Sequence, residues 1–304
     1  MNYMLESFLI ALCILCIILF INNQYEIPKI AWFYWDTELP MLIQQIKDHN
    51  ERALKGWTVH YLNEKTVHDY IPRSAFPAKY EDLIPQHKAD WIRAYLLMKY
   101  GGCWIDASLI LNDPECLNTL RDESYRKRSD FTGFYSVEKF IPTVSGTLIS
   151  PNIENWFFMV PLNSRIMRLW YEEFTGSINE GLLEYRDRIR DEGVDLDDYF
   201  KAGYHTSVYF SQHFCMQAIL QKKLLVIPPM LLLSSGTHMF KIKNECLKSQ
   251  DISKCIMDRL VIDPATNQLP YIKLTGSERA TKIDITPFFE RSRATKFQPT
   301  IADR

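Results

Sequence analysis

A chain of 304 residues with 47% hydrophobic and 24% charged side chains sits near the ~250–300 residues at which single cores stop growing, and it is too apolar to be disordered. Its formal net charge of −2, with no Lys/Arg tract, excludes nucleic acid as the main partner. Any anionic ligand must therefore be met by local groups.

Phe8 to Ile21 carries no charge, and Met4-Leu5 extends the apolar run past Glu6-Ser7. This is a membrane-insertion signal, but it is shorter than the ~20 residues that span a bilayer, so a signal-peptide core or a buried helix also fits. No small-x-small cleavage site follows, and Asn22-Asn23-Gln24-Tyr25-Glu26 reads as a polar stalk. Residues 1–24 are accordingly expected to be a retained single-pass anchor with its stalk, and residues 25–304 the functional domain. Lys29 is the first basic residue, so the positive-inside rule does not set the orientation. Cys13 and Cys16 lie within the apolar run, where their spacing reflects helix packing. Of the other five cysteines, Cys246 and Cys255 would pair in an oxidising compartment.

Ile27 to Trp35 is an aromatic-rich apolar run of the kind that forms a buried strand. Pro40 then opens a helical stretch closed by Gly56, and Trp57 to Leu62 follows as a second strand. Strand, helix, strand predicts an α/β fold with a mostly parallel sheet, in which ligands sit at the carboxyl ends of the strands. Gln86 to Tyr100 has helical period and stops at Gly101-Gly102, and a strand from Cys103 leads to Asp106-Ala107-Ser108. Further strands are expected at Phe131–Tyr135, Val144–Ser150 and Trp156–Val160, and long helices at Ser164–Arg190 and Tyr199–Lys223. The tail from Val226 to Arg304 reads as irregular. No repeat or linker marks a second domain.

Asp90 and Arg93 are three apart on a helix, hence on one face and able to reach one ligand. Their bland alternative is a surface ion pair worth ~0.3 kcal/mol. Asp106 closes an apolar strand, where a carboxylate costs free energy unless it is paired or binds something. A buried structural aspartate is the alternative. The two glycines before it would let a ligand's phosphates approach the backbone closely. Ser108 lies two residues on, so both side chains share one side of a strand and offer weak oxygen ligation to Mg²⁺ or Mn²⁺. The acidic segment at Asp195, Asp197 and Asp198 reads as a solvated loop or a helix cap, with a part in catalysis the alternative.

The string Pro28-Lys29-Ile30, Trp35, Ala89-Asp90-Trp91-Ile92-Arg93, Tyr100-Gly101-Gly102 and Trp104-Ile105-Asp106-Ala107-Ser108 resembles the capsular-polysaccharide-synthesis glycosyltransferases. It is also similar to the α-mannosyltransferases of yeast Golgi and to the glucosyltransferase domain of large clostridial toxins. The likeness is close from Ile27 to about Asp113 and looser through Asn155-Trp156-Phe157, Asp198-Tyr199-Phe200 and Tyr271-Ile272-Lys273-Leu274. It implies a GT-A-like fold and transfer of a sugar from a UDP- or GDP-sugar to a glycan hydroxyl, with retention of configuration. In it Asp106, Asp90 and Arg93 would be the catalytic set. Trp35, Gly101 and Gly102 would join them in binding the donor, although plain core packing also accounts for Trp35.

This chain departs from the DxD pattern of those relatives at Ser108, which leaves Asp106, Ser108 and a third residue to ligate Mn²⁺ or Mg²⁺. His238 in Ser234-Ser235-Gly236-Thr237-His238 is the candidate, a solvated loop histidine the alternative. Two rival functions remain: a catalytically silent, membrane-tethered glycan-binding module of the same fold, and a metal-dependent phosphoryl-transfer or hydrolytic enzyme, which has neither a P-loop nor a dense carboxylate cluster behind it.

Overall fold

The computed structural model describes residues 24–138, 140–143, 146–201, 207–222 and 228–296. The expected anchor run Phe8–Ile21 lies outside them, as do parts of the expected strand Val144–Ser150 and helix Tyr199–Lys223. Among the described residues no helix is long and apolar enough to cross a membrane.

Ile30–Tyr34 (β1), Met41–Ala53 (α1) and Thr58–Leu62 (β2) form the expected βαβ unit, with β1 and β2 parallel. Pro85–Tyr100 (α2) leads into Gly102–Ile105 (β3) and Leu109–Leu111 (β4), followed by Cys116–Arg126 (α3) and Phe131–Tyr135 (β5). Phe140–Thr143 (β6) and Gly146–Ile149 (β7) make an antiparallel pair before Ile153–Val160 (β8). The central sheet, completed by Met230–Ser234 (β9), has the order β2-β1-β3-β8-β5-β9. All pairs are parallel except those of β8, which runs against both β3 and β5.

Period-2 alternation assigns the strand residues to two cores. Trp32, Trp104, Phe131 and Phe158 face one side, where α2 packs with Arg165–Glu180 (α4) and Ser211–Lys222 (α7). Ala31, Phe33, Cys103, Ile105 and Phe157 face the other, against α3. Trp32, Trp91, Trp104 and Trp170 are at most 1% exposed, so each contributes several kcal/mol of burial, at ~25 cal/mol per Å² of apolar surface.

Two sequence expectations need correction. The long helix Ser164–Arg190 is two helices, α4 and Leu182–Asp191 (α5), because Gly181 at φ 119° breaks the ladder between them. The acidic segment then enters a short helix, Asp197–Lys201 (α6). The tail is not irregular beyond Val226. It forms β9, Lys241–Glu245 (α8), Ile252–Ile262 (α9), Tyr271–Lys273 (β10), Gly276–Ala280 (α10) and Thr286–Lys296 (α11). These elements run from 3 to 11 residues, too short for a hydrophobic period to stand out. They bury Ile242, Ile256, Leu260, Ile272 and Phe288 against Ile43 and Ile46 of α1 in a third core, and a Cys246–Cys255 disulfide joins α8 to α9.

α2 stops at Gly101, as read from the sequence: this residue takes φ +64° and its N–H returns to the Leu97 carbonyl at 3.0 Å. Gly102 has a different task. At φ +94°, a Cβ there would lie 2.5 Å from the Ile30 carbonyl oxygen of β1. The pair thus lets β3 leave the helix and close on β1. Gly102→Ala is expected to destabilise by roughly 2–4 kcal/mol, combining strain at positive φ with a backbone clash. An unchanged melting temperature would contradict so close an approach.

Candidate active site

A cleft of about 820 Å³ opens at the carboxyl ends of the parallel strands. Tyr34, Trp35 and Asp36 line it after β1, Asp106, Ala107 and Ser108 after β3, and Ser136 and Val137 after β5. The antiparallel β8 contributes its opposite end, with Glu154, Asn155 and Trp156. Pro85, Gln86, Ala89, Asp90 and Arg93 come from the first half of α2, and Lys273, Thr275 and Arg279 from the tail.

The Asp90–Arg93 pair is not a surface pair. Arg93 Nη1 donates to Asp90 Oδ1 at 2.6 Å with side chains 6% and 8% exposed, because α2 is packed on nearly all sides. Asn155 Nδ2 donates to the same Asp90 oxygen at 3.0 Å, and Gln212 of α7 donates to the Asp90 carbonyl and accepts from Arg93. Burial pushes the Asp90 carboxyl up to about 7 against the pull of Arg93.

Arg93 also links the two expected carboxylates. Its Nη2 donates to Asp106 Oδ1 at 3.2 Å, which accepts from Trp104 Nε1 at 3.0 Å as well, and the guanidinium lies 5.0 Å from the Trp104 ring centre. The other oxygen, Oδ2, accepts from Lys273 Nζ at 2.8 Å, and the same ammonium reaches Ser108 Oγ at 3.0 Å. Lys273 arrives there because β10 pairs with β4, Lys273 opposite Leu109, and the Leu274 N–H donates to the Ser108 carbonyl. Burial works against the Asp106 charge, but Lys273 and Arg93 outweigh it and hold the carboxyl below the usual aspartate range. Burial in turn lowers Lys273 below an ordinary lysine, with Asp106 opposing.

Trp35 lines the cleft, its buried indole N–H without a hydrogen-bond partner and its ring 5.6 Å from the Arg279 guanidinium. Arg279 rides on α10, whose start is fixed by a capping box between Thr275 and Glu278. Glu154 accepts from Trp156 Nε1 at 2.8 Å and from Ser235, and burial raises its carboxyl. His213 stays neutral, pushed down to about 3 by burial and by Arg93.

The cleft therefore brings together Trp35, Asp90, Arg93, Asp106 and Ser108. It does not include Gly101 and Gly102, which lie at the start of β3 while Asp106 follows its end. Nor does it include His238, whose Nδ1 faces the Ser234 carbonyl at 2.8 Å within its own turn. Sequence reasoning missed Glu154, Gln212, Lys273 and Arg279 as site residues. For Lys273 the signal was available: a lysine in the middle of the apolar run Tyr271–Leu274 is costly to bury unless it meets a charge.

The donors do not suit a divalent cation. Both Asp106 oxygens and the Ser108 hydroxyl already face protein donors, His238 is turned away, and among the described residues no group of three or more His, Cys, Asp and Glu side chains could hold a metal. At an effective dielectric of about 20, a dication about 4 Å from an ammonium is repelled by roughly 8 kcal/mol.

Fold and cleft define an α/β protein with a pocket at the carboxyl ends of a mostly parallel sheet, the place where such sheets take their ligands, and the pocket carries both carboxylates and fixed cations. The chain belongs to the capsular polysaccharide synthesis protein family, whose profile matches residues 20–175, just over half its length. It is similar to the O-glycosyltransferase braB of Annulohypoxylon truncatum, 27% identical over an alignment of 164 residues that covers 48% of this chain and 37% of that protein. The chain thus spans well under half the length of this curated relative. Among solved structures it is similar to a glycosyltransferase involved in the glycosylation of the major capsid of PBCV-1, at 10% identity and a TM-score of 0.40 over 87% of this chain and 97% of the other. The PaToxG glycosyltransferase is similar at 12% identity and a TM-score of 0.33, over 90% and 91% of the two chains.

Proposed function

We propose that this protein is a glycosyltransferase that moves a sugar from a nucleotide-diphospho-sugar, UDP- or GDP-linked, to a hydroxyl of a glycan acceptor with retention of configuration. The observation that supports it best is the convergence of Asp90, Arg93, Asp106, Trp35 and Lys273 in one cleft at the strand ends. In this reading Trp35 lies against the base or ribose, while Asp90, Arg93 and Asp106 hold donor hydroxyls. The fixed network around Arg93 supplies preorganised charge for an oxocarbenium-like state. The test is incubation with a panel of UDP- and GDP-sugars and a glycan acceptor, scored for nucleotide release. Donor binding without release throughout the panel would instead favour a catalytically silent glycan-binding module.

We further propose that the Phe8–Ile21 run anchors the protein to a membrane. Every proposed donor contact lies after Ile27, so protein lacking residues 1–24 is expected to be soluble and to retain its turnover. Unfolding or aggregation of the truncated protein would place that run in the core.

A further inference from the structure

In a transferase of this kind, the departing diphosphate develops negative charge that something cationic must meet. The place between Asp106 and Ser108, where the sequence pattern puts a metal, holds a lysine. Lys273 Nζ bridges Asp106 Oδ2 and Ser108 Oγ, with its side chain 7% exposed. This is a built position, since β10 pairs in register with β4 and the Lys273 N–H is tied to the Met239 carbonyl. Arg279 lines the same wall of the cleft from α10, close enough to act electrostatically on Lys273. Arg93 reaches Asp106 from the other side. Asp90 and Asp106 balance Arg93 and Lys273, so Arg279, which stands in no ion pair among the described residues, is the cation that remains to face an anion.

Resting on the reading of the cleft as a nucleotide-sugar site, we propose that Lys273, supported by Arg279, takes the place of the divalent cation and that sugar transfer proceeds without metal. The bond between the anomeric carbon and the diphosphate oxygen breaks, and its electron pair stays on that oxygen beside Lys273. The acceptor oxygen bonds to the anomeric carbon, and the acceptor's proton passes to the departing diphosphate. Ser108 replaces the second carboxylate of a DxD motif for a physical reason: an ammonium flanked by one carboxylate and one hydroxyl makes a neutral group that a phosphate can approach, whereas a second carboxylate would leave it net negative.

The full-length protein is stripped of metal and assayed with the donor panel in excess EDTA and, separately, in excess Mn²⁺. The expected rates agree within about twofold. In parallel, an EPR titration of Mn²⁺ with UDP and with GDP is expected to show no Mn²⁺ affinity beyond that of the nucleotides alone. Turnover that appears only with Mn²⁺, or tight ternary Mn²⁺ binding, overturns metal-free transfer and leaves the transferase reading standing. No turnover in either arm overturns both. Lys273→Met is expected to lose about 10²–10³-fold in turnover in EDTA. Adding Ser108→Asp to it is expected to restore part of that turnover in Mn²⁺ only, by supplying the missing carboxylate. Full metal-free turnover of folded Lys273→Met would also overturn the proposal.

Discussion

Arg93→Ala is expected to lower turnover by about 10³-fold and to cost roughly 3–5 kcal/mol of stability. Both effects follow from one geometry. The guanidinium spans Asp90 Oδ1 at 2.6 Å and Asp106 Oδ1 at 3.2 Å, and Asp90 is buried with Arg93 as its only cationic partner among the ion pairs of the described residues. Truncation leaves that carboxylate desolvated beside Asn155, which offers a neutral donor and no charge. It also removes the planar fork that fixes the distance between α2 and the end of β3. Arg93→Lys keeps the charge but cannot hold both carboxylates in one plane, so it is expected to recover stability better than turnover. Nucleotide release measured well below the variant's melting temperature separates the two effects. Wild-type turnover in folded Arg93→Ala would remove this residue from the chemistry.

The α2–β3 segment was legible in the sequence because its determinants are local. Helical period, a two-glycine stop and an apolar run ending in a carboxylate all fall within Gln86–Ser108, and they place Asp90 and Arg93 on one side of a helix and Asp106 at a strand end. Which way Asp90 and Arg93 face was not legible. Spacing shows that two residues share a side of a helix, but only tertiary packing shows that α2 is covered by the sheet, α4 and α7. The glycines illustrate the same limit. Their conformational freedom is legible and their neighbours are not, since Ile30 of β1 at Gly102 and the Val160–Leu162 backbone at Gly101, rather than a ligand, occupy the space a Cβ would need.

Lys273 was the hardest to see. It is 167 residues from Asp106 and is delivered by a three-residue strand in a tail without periodicity. Hydrogen bonding across such a separation leaves no mark in a local pattern. What did survive in the sequence was an anomaly at each end: a DxD-like motif lacking its second carboxylate, and a lysine inside an apolar run. Each explains the other once β10 pairs with β4.

The second large effect is expected for Asp106→Asn, with turnover lower by about 10²–10³-fold while nucleoside diphosphate binding holds or tightens. Asparagine matches aspartate in shape, yet its amide turns a donor toward one of three groups that are themselves donors: Arg93 Nη2, Trp104 Nε1 or Lys273 Nζ. Either Lys273 or both Arg93 and Trp104 must lose their acceptor. The charge change acts in the opposite direction on binding, because Arg93 and Lys273 would then face the cleft without the carboxylate that partly neutralises them. A dianionic diphosphate gains from that extra charge in the ground state, whereas the transition state loses cations held in fixed positions, so the two measurements should diverge. Lys273, 7% exposed and deprived of its counterion, is expected to cost the variant about 1–3 kcal/mol, well short of unfolding it. Calorimetric titration with UDP and GDP, beside the nucleotide-release assay, reads the divergence directly. Parallel loss of binding and turnover would mean that Asp106 grips the nucleoside diphosphate as well as the donor sugar and that holding the two cations is secondary.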